Sequence, residues 1–303
     1  MIAFFKALAD ETRLRLTGVL RHHELNVGEI VGLLEMGQSR ISRHLKILTD
    51  AGLVCSRREG LRTFYSASSA GGPHRFLESI RFVFDSDEMF RRDVEAAKRI
   101  IEERRRKTLH FFDTIAEDWD QLKRDIIGDF DLNGLILQNL NRRGTVVDLG
   151  CGTGDLLRVL APHVAKIIGV DKSANMLTKA KAAANTKEHG DLDLRLGAIE
   201  HLPLRDREAE AAILNMVLHH LTTPTAAFDE VGRILKRGGQ FVIVDFVNHQ
   251  HEEMHATYGD QWLGFQPGDI RTWLLDSGFS PGSATLFDLK RGLRGFIVSA
   301  SKP

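Results

Sequence analysis

The sequence predicts two domains of different class, a small α+β domain followed by a larger α/β domain. The first 70 residues show short amphipathic helices and then a β-hairpin pattern. From Thr145, apolar strands alternate with helices, as in a parallel sheet. Near the end, only KRGLRG separates the strands ATLFDL and FIVSAS. This connection permits a hairpin and no crossover helix, so we expect the last strand to run antiparallel.

The composition is that of an ordinary globular chain with room for two cores. It has 303 residues, of which 43% are hydrophobic and 27% charged. We find no run of eighteen apolar residues, and acids and arginines occupy the first positions, so we expect a cytoplasmic protein that does not bind membranes. The two cysteines, Cys55 and Cys151, fall in different predicted domains. This excludes a disulfide framework or a cysteine-rich cage, and no metal site is predicted.

A basic helix and hairpin occupy the first domain, although the net charge of the whole chain is zero. In the segment GQSRISRHLKILTDAGLV, Ile41, Leu45 and Leu48 recur at helical spacing. A hairpin should follow, with a Glu-Gly turn between strands at 54–58 and 61–66. The arginine, lysine and serine side chains of this helix and hairpin are hydrogen-bond donors that suit phosphates and guanine edges in a major groove. The candidate DNA contacts are Gln38, Ser39, Arg40, Ser42, Arg43, His44 and Lys46 on the helix and Arg57, Arg58 and Arg62 on the hairpin.

Residues 1–68 resemble the ArsR-type winged helix-turn-helix regulators through FKALADETRLRLTGVL, QSRISRHLKILTDAGLV and RREGLRTFYS. The resemblance implies a homodimer on a double-stranded, pseudo-palindromic operator, with recognition helices about 34 Å apart in successive major grooves. Many members of the family sense metals through cysteines at the start of the second conserved helix. Here Asn26, Val27 and Gly28 stand in ELNVGEI, which disfavours soft-metal sensing at that position.

A glycine-rich turn follows the first strand of the second domain. Asp148, Gly150, Gly152 and Gly154 form D-x-G-x-G-x-G between the strand TVVDL and the helix LLRVLAP. Glycines there let backbone N–H groups approach a ligand at the carboxyl end of a strand. Asp171 ends the next strand, where a carboxylate can accept hydrogen bonds from both ribose hydroxyls. The combination predicts a nucleoside site.

The chain from about His110 to Ser301 resembles the class I S-adenosylmethionine-dependent methyltransferases. The resemblance is carried by HFFDTIAEDWD, VVDLGCGTGD, IIGVDKSANML, LGAIEHLPL, NMVLHHL and LKRGGQFVIVDF. It implies a Rossmann-like sheet of seven strands that binds S-adenosylmethionine or S-adenosylhomocysteine.

The same resemblance implies roles for individual residues. Asp148 and the glycines hold the amino-acid end, Asp171 holds the ribose, and the side chains of Met176 and Ile199 cover the adenine. The other implied contacts are Cys151, Lys172, Ala198, and Asn215 with His219 beneath the methyl group. Ala198 marks a departure, because the family often has an acid there that contacts the adenine amino group.

Three other features of the sequence are considered and assigned no function. The segment from His251 to His255 matches H-E-x-x-H but lies in a polar run without a third ligand in sequence. Arsenic methylation would need several thiolates near the methyl donor, and Cys151 is the one cysteine in that region. We interpret the aromatic segment GDQWLGFQPGDIRTWLLDSGF as core packing rather than a lid.

A catalytic base is not identified by the sequence. His219, His220 and Tyr258 are weak candidates, with Asp245 and His249 as further ones, and each has a plausible structural role. The leading hypothesis is a repressor with a winged-helix domain at 1–72, a helical linker or dimerisation segment at 73–108 and a methyltransferase-like effector domain at 109–303. It looks like the S-adenosylhomocysteine-responsive regulators of methyl-cycle genes. The alternative is an active methyltransferase for a small acceptor, with the winged helix for dimerisation or targeting; an enzyme that also represses its operon would combine both.

Overall fold

The computed structural model describes residues 1–59, 62–142, 144–183 and 191–303. The chain folds as two compact units, Met1–Arg106 and Lys107–Pro303. The finer division at residues 72 and 108 stays a prediction. Among the described residues, no helix is both long enough and apolar enough to cross a membrane.

The first unit is built from helices and a small antiparallel sheet. The sheet has the strand order β1-β3-β2, and β2 and β3 form the predicted hairpin, whose turn at Gly60 lies outside the described residues. In chain order the elements are α1 (Ile2–Leu8), α2 (Glu11–Leu20), β1 (Leu25–Asn26), α3 (Val27–Leu34), α4 (Gln38–Asp50), β2 (Val54–Glu59), β3 (Arg62–Ala67), α5 (Gly71–Ser79), α6 (Arg81–Ser86) and α7 (Glu88–Ile115).

Side-chain caps fix where the early helices begin. The Asp10 carboxylate accepts a hydrogen bond from the Arg13 amide at the start of α2. Asn26 and Glu29 form a reciprocal capping box at the start of α3. These caps satisfy backbone N–H groups that the first helical turn leaves without partners.

Helix α4 buries the face that the sequence predicted, with one correction. Ile41, Leu45 and Leu48 are fully buried in the core of the first unit. The expectation that His44 lies on the exposed face was wrong, because its side chain is buried and its Nδ1 lies 3.6 Å from an Asp10 oxygen. His44 follows Ile41 by three positions, which places it beside the apolar stripe.

The core of the first unit extends well beyond the hairpin. Phe76 and Leu77 from α5 and Ala97 and Ile101 from α7 pack in the same apolar cluster as the α4 residues. The first part of α7 is also held by ion pairs. Arg15 donates to both oxygens of Asp93 at 2.7 and 2.8 Å, and Arg104 pairs with Glu29. The part of α7 up to Arg106 therefore belongs to the first unit, and its last residues, from Lys107, belong to the second.

The second unit is a mixed sheet with helices in the connections. In chain order its further elements are α8 (Trp119–Ile127), α9 (Leu132–Asn139), β4 (Thr145–Leu149), α10 (Asp155–Leu160), β5 (Lys166–Asp171), α11 (Ala174–Ala183), β6 (Asp191–Leu196), β7 (Ala209–Asn215), α12 (Pro224–Ile234), β8 (Leu235–Phe246), α13 (Met254–Thr257), α14 (Pro267–Asp276), β9 (Ser280–Pro281), β10 (Thr285–Asp288) and β11 (Arg294–Ser301).

The sheet has the order β10-β11-β8-β7-β4-β5-β6, and the short β9 also pairs with β11. Strands β4 to β8 are all parallel to one another. Strand β11 runs antiparallel to β8, and β10 runs antiparallel to β11. The predicted Rossmann-like sheet with an antiparallel last strand is confirmed. Strand β9 is an addition to the seven expected strands, and its two residues carry no strong pattern.

Apolar side chains from both sides of the sheet fill the core of this unit. Phe228 on α12 is fully buried and meets Phe241 of β8 edge-on, with 5.6 Å between ring centroids. Trp262 and Phe265 belong to the same cluster, with Trp273 packed against it. The aromatic segment of the sequence does serve the core.

We predict that Phe228→Ala lowers the free energy of unfolding of the second unit by about 3–5 kcal/mol, because it removes a ring from a close-packed core. The chain's three tryptophans, Trp119, Trp262 and Trp273, all lie in that unit, so urea unfolding followed by tryptophan fluorescence reports on it. The control Leu275→Ala changes a side chain that is 52% exposed and should cost less than about 0.5 kcal/mol. Equal effects of the two substitutions would contradict the core assignment.

Candidate functional site

The turn between β4 and α10 is tied to the end of β5 by its own backbone. The N–H groups of Gly150 and Cys151 donate to the Val170 carbonyl at 2.7 and 3.0 Å. Gly150 has a φ of +76°, and a Cβ built on it would lie 2.7 Å from a methyl group of Val217. Both the left-handed conformation and the close approach require glycine at this position.

A cavity of about 1130 Å³, including its open mouth, lies over this turn within the second unit. Two of the expected contacts, Gly154 and Ala198, are not part of its lining. Gly154 instead caps α10. Glu200, two residues after Ala198, does line the cavity. The expected contacts that the structure brings together there are Asp148, Gly150, Cys151, Gly152, Asp171, Lys172, Met176, Ile199, Asn215 and His219.

Two carboxylates stand at the ends of neighbouring strands in this cavity. Asp171 accepts from the backbone N–H of Gly152 at 2.9 Å and from that of Ser173 at 2.8 Å, which orients both oxygens. Burial raises the pKa of Asp171, and these two hydrogen bonds oppose the change. Asp148 is 2% exposed, and burial raises its pKa to about 7 although Lys123 acts in the opposite direction.

The thiol in the glycine turn is protected from ionisation. Cys151 is buried, and burial raises the pKa of its thiol well above the ordinary value, with the charges of Asp148 and Asp171 adding to the effect. A protonated thiol is a poor nucleophile and a poor ligand for arsenic or soft metals.

The weak catalytic candidates His219, His220 and Tyr258 all line the cavity. His219 is the best positioned, since its Nδ1 lies 2.7 Å from an Asp245 oxygen and both residues are buried. Burial lowers the pKa of His219, but the nearby Asp245 and Asp260 outweigh it and the net shift is upward. A buried carboxylate that orients a histidine is the arrangement of a general base.

The other histidines have different environments. Burial, with His219 and Lys172, holds the pKa of His220 well below its ordinary value, against a weak opposite effect of the Gly259 backbone. Burial lowers the pKa of His249 to about 4, and His249 is not part of the cavity lining. Both are neutral at pH 7, so neither adds positive charge to the site.

Sequence analysis missed several lining residues, among them Phe112, Trp119, Lys123 and Asp260. The Phe112 ring meets the rings of Trp119 and His220 edge-on, with centroids 5.2 and 4.8 Å apart. For Phe112 and Trp119, the one signal in the sequence was the aromatic and acidic density of HFFDTIAEDWD. That segment also holds the turn, because the Thr153 hydroxyl donates to Asp120 at 2.6 Å.

The H-E-x-x-H segment does not place its histidines on one helix. Helix α13 begins at Met254, so His251 precedes it. His251 pairs with Glu253 at 3.0 Å, whereas the Nδ1 of His255 lies 2.6 Å from the Asp260 carbonyl. The geometry is not that of a zinc protease, which needs both histidines on one helical face.

The candidate DNA contacts of the first unit divide into two groups. Arg57 is only partly exposed, lies 3.4 Å from Glu24 and has its guanidinium over the Phe64 ring, and its role as a DNA contact stays a prediction. Alternating strand residues face opposite sides, which separates Arg57 from Arg58. The residues that are exposed are Gln38, Ser39, Arg40, Ser42, Arg43, Lys46, Arg58 and Arg62.

Comparisons with known proteins match the two units separately. Residues 10–56 match the sequence model of the bacterial regulatory protein, arsR family, and residues 147–243 match that of a methyltransferase domain. An uncharacterized methyltransferase of Bacillus subtilis, YcgJ, is 28% identical over 47% of this chain and 66% of its own length. A demethylmenaquinone methyltransferase of Symbiobacterium thermophilum is 30% identical over 48% and 61%. The chain thus spans less than two thirds of the length of the second relative and just under that share of the first.

A solved structure supports the fold. It is the putative methyltransferase in complex with the Trm112 methyltransferase activator from Haloferax volcanii, with a TM-score of 0.55 and 20% identity. The similarity covers 63% of this chain and 97% of that one. At 20% identity, the similarity shows only that the second unit shares this fold.

We predict that Asp148→Asn stabilises the ligand-free second unit in a pH-dependent way. The folded-state pKa of about 7 exceeds the ordinary 3.8, so this group's stabilising contribution is complete below pH 3.8 and is lost as pH rises through 7. Asparagine cannot ionise. The difference in free energy of unfolding between variant and native chain should grow by about 3 kcal/mol from pH 5 to pH 8, measured by urea titration. A difference independent of pH would contradict the buried environment of Asp148.

Proposed function

Because the chain joins an ArsR-type winged-helix domain to a class I methyltransferase-like domain, we propose that it is a DNA-binding transcriptional repressor controlled by a nucleoside effector. The effector is S-adenosylhomocysteine or S-adenosylmethionine, bound in the cavity of the second unit. The proposal rests mainly on the composition of helix α7. This one helix contributes Ala97 and Ile101 to the winged-helix core and Phe112 to the lining of the cavity.

The cavity suits an adenosyl ligand with an amino-acid end. Each Asp171 oxygen already accepts one backbone N–H and keeps a second acceptor position for a ribose hydroxyl. Met176 and Ile199 supply apolar surface for the adenine. Asp148 supplies a carboxyl group that the ammonium group of the ligand would hold in its ionised form. The Oδ1 of Asn215 is buried and has no hydrogen-bond partner among the described residues. A bound ligand with a donor would satisfy it.

The exposed face of α4 suits DNA. Arg40 and Arg43 are exposed, and Ser39 and Ser42 lie beside them with hydroxyl donors. Arginine is the residue that most often reads guanine in the major groove, and it also neutralises phosphate. The ArsR-type domain implies binding to double-stranded DNA, and a pseudo-palindromic operator would require a homodimer. Exposed apolar side chains at Ile2, Phe5 and Phe82 are available for such a contact.

Coupling through α7 needs only a modest free energy. A hundredfold change in operator affinity corresponds to about 2.7 kcal/mol of difference in ligand binding between two states. Phe112 packs against Trp119 and His220 at the cavity, while Arg104 and Asp93 hold the same helix to α3 and α2. A ligand that repositions Phe112 would therefore act on a helix that the winged-helix core also uses.

The decisive experiment measures DNA binding by fluorescence anisotropy at one fixed salt concentration, because phosphate contacts make affinity salt-dependent. The probe is DNA from the region upstream of the gene, and the two nucleosides are titrated separately. We expect one nucleoside to shift the affinity at least tenfold, and Asp171→Asn to reduce that response while leaving ligand-free DNA binding intact. Specific binding that neither nucleoside shifts would refute the effector role.

Arg43→Ala tests the DNA-reading surface. It should weaken operator binding by about 1–3 kcal/mol, roughly 5- to 150-fold, because it removes an exposed guanidinium from α4. Nucleoside affinity, measured by calorimetry, should not change. The matched control is Arg91→Ala, an exposed arginine on α7 paired with Glu88, which should leave operator affinity as it is. Equal losses in both variants would argue for non-specific charge effects.

A second candidate function is methyl transfer to a small acceptor, and the buried Asp245–His219 pair in the cavity favours it. The bound methyl donor would supply the methyl group, and the Nε2 of His219 would accept a proton from the acceptor. A relative is named for demethylmenaquinone, so phenolic and quinol acceptors are screened first. His219→Asn should then lower turnover by about 10²- to 10⁴-fold in an assay of S-adenosylhomocysteine release. Absence of release from the native chain with every acceptor in the screen would count against this second function.

A further inference from the structure

Two histidines and an aspartate meet at one wall of the cavity. His219 and His220 lie in a 3₁₀ turn, 218–220, after β7, and Asp260 lies after α13. The N–H groups of Gln261 and Trp262 both donate to the His219 carbonyl, at 2.9 and 3.0 Å, which brings the Asp260 segment against this turn. Gly259, with a φ of +74°, allows the close approach of Phe111.

The spacing of the three side chains is that of ligands around an ion. The Asp260 Oδ1 lies 3.7 Å from the Nε2 of His219 and 3.6 Å from the Nδ1 of His220. These separations are too long for hydrogen bonds. Two ligand atoms each about 2.1 Å from a tetrahedral ion are about 3.4 Å apart, close to both values. Among the described residues, this is the group of three whose ligand atoms all lie within 4.8 Å of one another.

The polar atoms of this cluster are buried and largely without partners. His219, His220 and Asp260 are 3, 5 and 2% exposed. Within the described part of the chain, neither oxygen of Asp260 makes a hydrogen bond, and the nitrogens of His220 have no partner apart from the Gly259 backbone. Leaving a carboxylate buried in this way is costly unless a donor or a cation compensates it. A metal ion would satisfy one atom of each side chain together.

One ligand is already oriented for coordination. Asp245 binds the Nδ1 of His219 at 2.7 Å and is itself fixed by the Phe246 N–H at 2.7 Å. This leaves the Nε2 of His219 directed at Asp260 as the free acceptor. A carboxylate behind a metal-binding histidine is the usual arrangement in zinc sites, where it sets the tautomer and raises the basicity of the ligand.

We propose that His219, His220 and Asp260 bind one divalent transition-metal ion, with Zn²⁺ as the reference ion. Two imidazoles and a carboxylate suit borderline metals of this class. Three protein ligands leave a fourth position, and since all three residues line the cavity, that position opens into it. It would accept an oxygen or sulfur donor of a small molecule. The site goes beyond the proposed function, because it requires neither DNA nor a nucleoside. It is an alternative to the role of His219 as a base, because a metal-bound Nε2 cannot accept a proton.

The test uses the full chain, freed of metal with a chelator and dialysed. Zn²⁺ is titrated by calorimetry, bound metal is counted by mass spectrometry, and Co²⁺ is added as a spectroscopic probe of coordination. We expect one ion per chain and a visible Co²⁺ spectrum of a low-coordinate site. His220→Ala and Asp260→Asn should each weaken Zn²⁺ binding at least tenfold, and Asp245→Asn, which alters only the orienting residue, by about 10- to 100-fold.

The matched control is His251→Gln in the H-E-x-x-H segment, which should leave Zn²⁺ affinity unchanged. A native chain that binds no ion, or a loss in His251→Gln as large as in Asp260→Asn, would overturn the proposal. Variant folding is checked by tryptophan fluorescence. Should the variants fail to fold, X-ray absorption of the Zn²⁺-loaded native chain decides. Two imidazoles with oxygen ligands support the site, whereas sulfur or fewer imidazoles refute it.

Discussion

The short turn after β4 is the constraint on which the site depends. Parallel pairing of Leu149 with Val170 ends two strands at the same edge, and the Gly150 and Cys151 amides close the turn onto the Val170 carbonyl. The Gly152 amide then fixes Asp171. Because Val217 packs against Gly150, the turn also limits where the segment leading to His219 can lie. One backbone turn thus positions both the predicted nucleoside contacts and the histidines of the cavity.

Much of this arrangement could be predicted because it is local in sequence. Asp148, the glycines and Asp171 belong to one strand-turn-helix-strand unit, and strand patterning places them at one edge. Asp260 and Phe112 could not be found in this way. Asp260 reaches the cavity through hydrogen bonds from Gln261 and Trp262 to a carbonyl far back along the chain, and such pairing leaves no local pattern.

Simple geometry explains where the first unit departs from expectation. His44 was grouped with the polar face because it is flanked by basic residues, yet helical geometry places it near Ile41 and Leu45. Arg57 and Arg58 were grouped by charge, but a strand turns neighbouring side chains to opposite sides, and the two differ in exposure.

The burial of Cys151 has a consequence for the chemistry of the whole chain. Its thiol is shielded and held protonated, whereas the other thiol, Cys55, is exposed on β2 of the first unit. Oxidants and alkylating reagents act on accessible thiolates, so they would modify Cys55 and spare the glycine turn. Thiol oxidation would therefore be confined to the surface of the first unit, and the thiol of the glycine turn would stay reduced.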